Sequence, residues 1–96
     1  MIASFDDKAT EALFNGGAKK AFKAIPPDIV SVARRKLDML NAAVAVEDLR
    51  SPPGNKLEAL QGDFAGLYSI RINDQWRIVF RWANSEAFNV RIIDYH

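Results

Sequence analysis

The chain contains no cysteine. Disulfide bracing and thiolate metal centres are therefore excluded. It has a single histidine, His96, which rules out a histidine-rich metal site as well. No apolar run approaches the ~20 residues of a membrane span, and the N-terminus has no signal-peptide apolar core. These absences point to a cytoplasmic protein that works off the membrane and without a metal or cofactor. What is present is 96 residues, 49% of them hydrophobic and 26% charged. That is one domain, residues 1–96, with material for a single core.

Net charge is only +1, but it is unevenly spread. Between Lys19 and Lys36 stand six cations against the single anion Asp28. From Leu37 to Leu49 there are three anions and no cation. The basic stretch suits either a polyanion or a solvated helix face.

The most informative segment is LYSIRINDQWRIVFRW, Leu67 to Trp82. Tyr68, Ile70 and Ile72, then Trp76, Ile78, Phe80 and Trp82, recur at every second place, the period of a strand with one buried face. Asn73-Asp74-Gln75 between the two runs is a polar break with turn chemistry, which predicts a β-hairpin. A three-residue loop pairs Ile72 with Trp76, Ile70 with Ile78 and Tyr68 with Phe80. All the apolar side chains then share the even-numbered face, and Ser69, Arg71, Arg77, Val79 and Arg81 share the odd one. A two-residue loop would set Arg77 across from Ile70, on the apolar face. The three-residue register is therefore the expected one, and it gathers arginines on a face not needed for the core.

The remaining elements follow from local signals. Met1 to Phe5 reads as a short strand joining the sheet, and Asp6 or Asp7 as the N-cap of a helix to about Phe14, stopped by Asn15-Gly16-Gly17. Ala18 to Ala24 reads as a basic helical turn. After Ile25-Pro26-Pro27, Asp28 is placed to cap a second helix, Ile29 to Ala43, with Ile29, Val32 (or Ala33), Leu37 and Leu40 as its core stripe. Val44 to Leu49 reads as a connector and Ser51 to Asn55 as a rigid loop delivering Lys56. Leu57 to Leu60 is a weak strand, 61–66 a turn region and Asn84-Ser85-Glu86 a second turn. A last strand places Phe88, Val90 and Ile92 on the even face and Asn89, Arg91 and Ile93 on the odd one. The predicted fold is α+β: two helices packed on one face of a small, mostly antiparallel curved sheet.

The chain closes with Asp94-Tyr95-His96. Histidine is the side chain best matched to proton transfer near neutrality, with an unperturbed pKa of about 6.5. The end of an integral strand is held in place, and its odd face carries Arg91 and Tyr95 on the side of Arg71 and Arg77. Arginines beside proton-transfer groups point to cleavage of RNA through its own 2′-hydroxyl. Such a catalyst removes one proton, stabilises a charged phosphorane and protonates the departing 5′-oxygen. Arginine suits the phosphorane, His96, Asp94, Tyr95 or Lys56 the proton transfers. Tyr95 or Phe64 offers an aromatic face to a splayed base.

The opening Ile2-Ala3-Ser4-Phe5, the run DLRSPPGNKLEALQGD (Asp48 to Asp63), SIRINDQWRIVF (Ser69 to Phe80) and the closing DYH together resemble the HigB toxins of the RelE/ParE toxin–antitoxin superfamily, over essentially the full length. The resemblance implies a ribosome-dependent mRNA endonuclease, neutralised by a cognate helix-turn-helix, HigA-like antitoxin and reaching DNA only through it. It implies Arg77 as the phosphate-stabilising cation, with Asp94, Tyr95 and His96 beside it; Arg71 and Arg91, placed on the same face by the register, and Glu58 and Gln61 are the expected substrate-side residues. Characterised relatives bring a histidine and a lysine to the site where this chain has Glu58 and Gln61; Lys56 is the nearby substitute. Glutamine transfers no protons and carries no charge. The departure keeps a second expectation open: a weak or non-catalytic member acting by protein binding, as antitoxin partner and co-repressor or against gyrase.

Overall fold

The computed structural model describes residues 1–95. Asp7 accepts a hydrogen bond from the Thr10 N–H at 2.7 Å, which starts helix α1 (Lys8–Asn15); Gly16, at φ 74, ends it in the left-handed conformation that glycine adopts without steric cost. A 3-10 turn at Lys19–Phe22 follows. Helix α2 (Val30–Ala42) is entered through a second such turn at Pro27–Ile29, and Ile29 occupies its N-cap without a side-chain hydrogen bond. Asp28 is therefore not the cap: proline at the first position sets a tighter turn, and Asp28 falls inside it. The buried face of α2 is Ala33, Leu37 and Leu40, continued from Ile29, while Val32 is only half-buried.

A 3-10 turn at Val46–Arg50 is tied back by Asp48, whose carboxylate accepts from the Ala45 and Val44 N–H groups at 3.1 and 3.0 Å. These two bonds, Ala45 first, hold the Asp48 carboxyl below the usual carboxylate range. The chain then passes the Pro53–Asn55 turn into the sheet.

Four antiparallel strands lie in the order β1 (Glu58–Ala59), β2 (Tyr68–Arg71), β3 (Trp76–Ala83) and β4 (Glu86–Asp94). The β2–β3 register is the expected one: Tyr68 faces Phe80, Ile70 faces Ile78 and Arg71 faces Arg77. The Asn73 side-chain oxygen accepts from the Gln75 and Trp76 N–H groups, both at 2.8 Å, and so closes the loop. The β3–β4 turn has Asn84 and Ser85 both at positive φ, 52 and 63, the twist that suits a two-residue hairpin.

Here the structure departs from simple alternation. Val79 pairs with Arg91 and Arg81 with Phe88, so Phe80 alone is opposed by Asn89 and Val90. This is a bulge, with Asn89 at φ 57. Phe88 is thereby turned off the core face, under the Arg81 guanidinium at 4.6 Å, and the fully buried Ala87 takes the place expected for it.

The outer edge of β4 is covered. Residues 1–6 run parallel to it, with Ala3 N–H bonding the Ala87 carbonyl at 2.7 Å and Val90 N–H the Ser4 carbonyl at 3.0 Å; Thr10 Oγ1 accepts from Ile92 N–H at 3.1 Å. A row of open N–H and C=O groups would otherwise invite pairing with another chain. Between helices and sheet lies one apolar cluster that includes Leu13, Phe22, Ile29, Leu37, Leu40, Ile70, Ile78, Phe80 and Val90. Replacing the fully buried Leu37 by alanine is expected to cost about 2–5 kcal/mol, read as a lower midpoint in urea unfolding with an unchanged slope.

Candidate active site on the odd-numbered face of the sheet

Residues directly opposite each other in an antiparallel pair share a face. The register therefore lays two rows across the sheet, on the side away from the apolar cluster. One runs Glu58, Ser69, Val79, Arg91; the next runs Arg71, Arg77, Ile93. This side is not bare, contrary to the expectation from strand alternation. Ser69, Val79 and Leu60 are buried there, outside the main cluster. The cover comes from the 60–67 loop: its Phe64 ring lies against Arg91 and Tyr95. Coverage by a loop is a long-range packing event with no period in the sequence.

Arg77 is held from behind. Its Nη1 donates to the Asn73 carbonyl and, at 3.2 Å, to the Trp76 carbonyl. Both bonds use one nitrogen, and among the described residues no acceptor meets Nε or Nη2. Those donors remain for an anion, and phosphate matches the guanidinium fork. The guanidinium also lies 5.7 Å from the centre of the Tyr95 ring, so Arg77 and Tyr95 share a side of the sheet. The Tyr95 backbone is fixed by its N–H bond to the Gln75 carbonyl at 2.7 Å, one residue beyond the last β4 pair.

Arg71 stands directly opposite Arg77, and its guanidinium is paired with the exposed carboxylate of Asp74. Like charges facing each other destabilise a sheet by a few tenths to ~1 kcal/mol. Asp74 and the carbonyl contacts of Arg77 offset that repulsion. Arg91 packs on Phe64 with 5.9 Å from guanidinium carbon to ring centre.

The other sequence-derived candidates are more spread. Asp94 pairs with Trp76 and so belongs to the core-side face, where Gln75 Nε2 donates to it at 2.9 Å. Glu58 lies on the same side as Arg91, but three strand spacings away, about 14 Å. Lys56 is exposed at φ 46, just past the Pro53–Asn55 turn, and Gln61 is exposed at the start of the covering loop. His96 lies outside the described residues.

Lys36 and Asn55 were not singled out by the sequence reading. Both are buried; Lys36 Nζ donates to Asn55 Oδ1, and Asn55 Nδ2 donates to the Leu49 and Ser51 carbonyls at 3.1 and 3.4 Å. Together they pin the 49–55 segment to α2 and set where Lys56 emerges. A signal was present: Lys36 sits among Ala33, Leu37 and Leu40 on the helical wheel, in the core stripe. Burial holds the Lys36 amine below its ordinary value of 10.5, with the charges of Arg35 and then Arg71 adding to the effect.

A separate groove of about 580 Å³ has Phe22, Ile25, Val30, Lys19, Lys23 and Arg34 among its lining residues. It lies among the helical segments and shares no residue with the odd-numbered face. Among the described residues no three His, Cys, Asp or Glu side chains are grouped to hold a metal ion.

Helices on one side of an antiparallel sheet, and arginines with the near-terminal Tyr95 on the other, describe the RelE-like fold. A chain of the YoeB–YefM toxin–antitoxin complex from Staphylococcus aureus has the same fold, with a TM-score of 0.61 at 21% identity, covering 100% of this chain and 98% of that one. The family model for the RelE-like toxin of the type II toxin–antitoxin system HigB matches residues 3–96, and the chain belongs to this HigB-like toxin family. Toxin HigB-1 of Vibrio cholerae is 42% identical over 89 residues, 93% of this chain and 92% of that protein. Endoribonuclease HigB of Proteus vulgaris is 31% identical over 96 residues, the whole of both chains.

Because Lys36 holds its proton less tightly folded than unfolded, its charge opposes folding at neutral pH. That penalty is fully present below the folded pKa and fades as pH rises to 10.5, the ordinary value. The stability of the wild type relative to Lys36→Met is therefore expected to rise as pH is raised from neutrality toward 10.5. Urea unfolding at a series of pH values measures it.

Proposed function

We propose that this chain is a type II toxin that inhibits translation and growth by cutting mRNA through the RNA's own 2′-hydroxyl. The observation that carries the reading is the Arg77–Tyr95 pair: a guanidinium oriented by main-chain carbonyls, 5.7 Å from a tethered phenol ring. A 2′-oxygen attacks the adjacent phosphorus, its proton passes to a base, and the bond from phosphorus to the 5′-oxygen breaks as that oxygen takes a proton. The products are a 2′,3′-cyclic phosphate and a 5′-hydroxyl. Arg77 stabilises the negative charge that develops on the phosphorane oxygens. Tyr95, His96 and Lys56 are the candidates for the two proton transfers; Asp94, which belongs to the core-side face, is not among them. Arg71 and Arg91 hold the neighbouring backbone, with Glu58 and Gln61 at the edge of the same face. The Proteus vulgaris relative, an endoribonuclease, supports the assignment.

The message is met on the ribosome, in the cytoplasm. A HigA-like helix-turn-helix antitoxin neutralises the toxin and connects it to DNA. The toxin–antitoxin family and the YoeB–YefM complex support an antitoxin partner.

Glu58 and Gln61, in place of the histidine and lysine of characterised relatives, favour a second reading: a toxin of low activity whose main act is to bind its antitoxin. Mapping mRNA 5′ ends after induction separates the two. Under the first reading, wild type yields 5′-hydroxyl ends in message. Arg77→Ala and deletion of His96 each reduce cutting by at least about 100-fold, the scale of a lost charge-stabilising or proton-transfer group. Circular dichroism of both variants stays that of the wild type. Unchanged cutting by both variants would remove these residues from the site.

A further inference from the structure

The Phe64 ring is outside the main apolar cluster, although it is one of the larger side chains available to a 96-residue chain. It is presented by a loop that is tied at several points. Leu60 N–H bonds the Leu67 carbonyl at 2.8 Å, Ala65 N–H the Gly62 carbonyl at 3.1 Å and Leu67 N–H the Phe64 carbonyl at 3.0 Å. Gly62 and Gly66, at φ 65 and 90, turn the two corners where a side chain would strain the backbone. The result is a half-buried ring fixed 6.4 Å from the ring of Tyr95, at 60° to it, with Tyr95 itself 36% exposed. A guanidinium closes each end of the pair, Arg77 against Tyr95 at 5.7 Å and Arg91 against Phe64 at 5.9 Å.

Two rings flanked by cations combine the two features that single-stranded nucleic acid binds, aromatic faces and positive charge. Rings accept unstacked bases on their faces, and flanking guanidiniums take the phosphates on either side. We propose that Phe64 and Tyr95 form a nucleobase-binding site that takes one splayed base of single-stranded RNA beside the phosphate held by Arg77, with Arg91 on the next phosphate. The proposal rests on the RNA-cleaving reading above and assigns Phe64 a part in it that is binding, not chemistry. Phe64 supplies affinity through its π face, so an aliphatic side chain of similar bulk cannot replace it.

The test is made on the purified full chain without ribosomes. The probes are an uncleavable 2′-O-methyl RNA oligonucleotide and an abasic oligonucleotide of the same length and charge. Wild type is expected to bind the base-bearing strand about 10-fold more tightly than the abasic one, the scale of one stacked base. Phe64→Ala and Phe64→Leu are expected to lose that difference and keep the binding of the abasic strand, whereas Phe64→Trp retains it. Phe64→Leu guards against a variant that merely fails to pack the loop. Equal binding of the two strands by wild type, or wild-type discrimination by Phe64→Leu, would overturn the proposal. Failure of the nuclease reading looks different: discrimination between the strands persists while induced cells show no cut message.

Discussion

The carboxamide of Asn73 sets the geometry on which the site depends. Its side-chain oxygen takes the N–H groups of both Gln75 and Trp76, which limits the β2–β3 loop to three residues and fixes the pairing of every residue behind it. Because side chains alternate, a slip of one residue would exchange the faces of a whole strand. Ile78 and Phe80 would leave the core, and Arg77 would enter it. The same residue also holds the candidate cation directly, since its main-chain carbonyl accepts from the Arg77 guanidinium. One turn residue thus controls both where the arginine points and how it is oriented.

Around this hairpin, stability and function make opposite demands. The core side is fully packed, with Ile70, Ile78 and Phe80 all at 0% exposure. The other side sets Arg71 against Arg77, leaves Ser69 Oγ buried without a hydrogen-bond partner among the described residues and presents aromatic rings to solvent. None of these choices stabilises a small domain. Three such departures meet on this one face, which is itself an argument for placing the candidate site there.

What could be read from the sequence was what depends on neighbours in the chain. The strand period gave the hairpin register, and the Asp7 cap and the Gly16 stop bounded α1. Asp28 misled because a capping residue and a proline turn compete for the same positions, and the turn won. Phe88 misled because the bulge falls at Asn89, a residue whose left-handed conformation is allowed but carries no unique signature. Its cause lies 83 to 85 residues away: Ser4 Oγ accepts from the Asn89 N–H, and Asp6 accepts from its side chain. The covering loop is likewise long-range and leaves no period to detect, whereas Lys36 was legible as a cation inside the core stripe of α2, though its partner Asn55 was not.

The bulge also has a consequence for the site. By inserting one residue into β4 it restores the core parity of Val90 and Ile92 after the turn has placed Ala87 inward. Arg91, Ile93 and Tyr95 are thereby delivered to the face that already holds Arg77. Without the extra residue, the hairpin and the terminal strand would present their polar side chains to opposite sides of the sheet. The guanidiniums come from strands, which are rigid, and the tyrosine is bonded through its backbone to Gln75. Glu58 and Gln61 belong instead to the short β1 strand and the loop after it. An arrangement divided in this way can change its loop residues while the sheet keeps the Arg77 guanidinium in place.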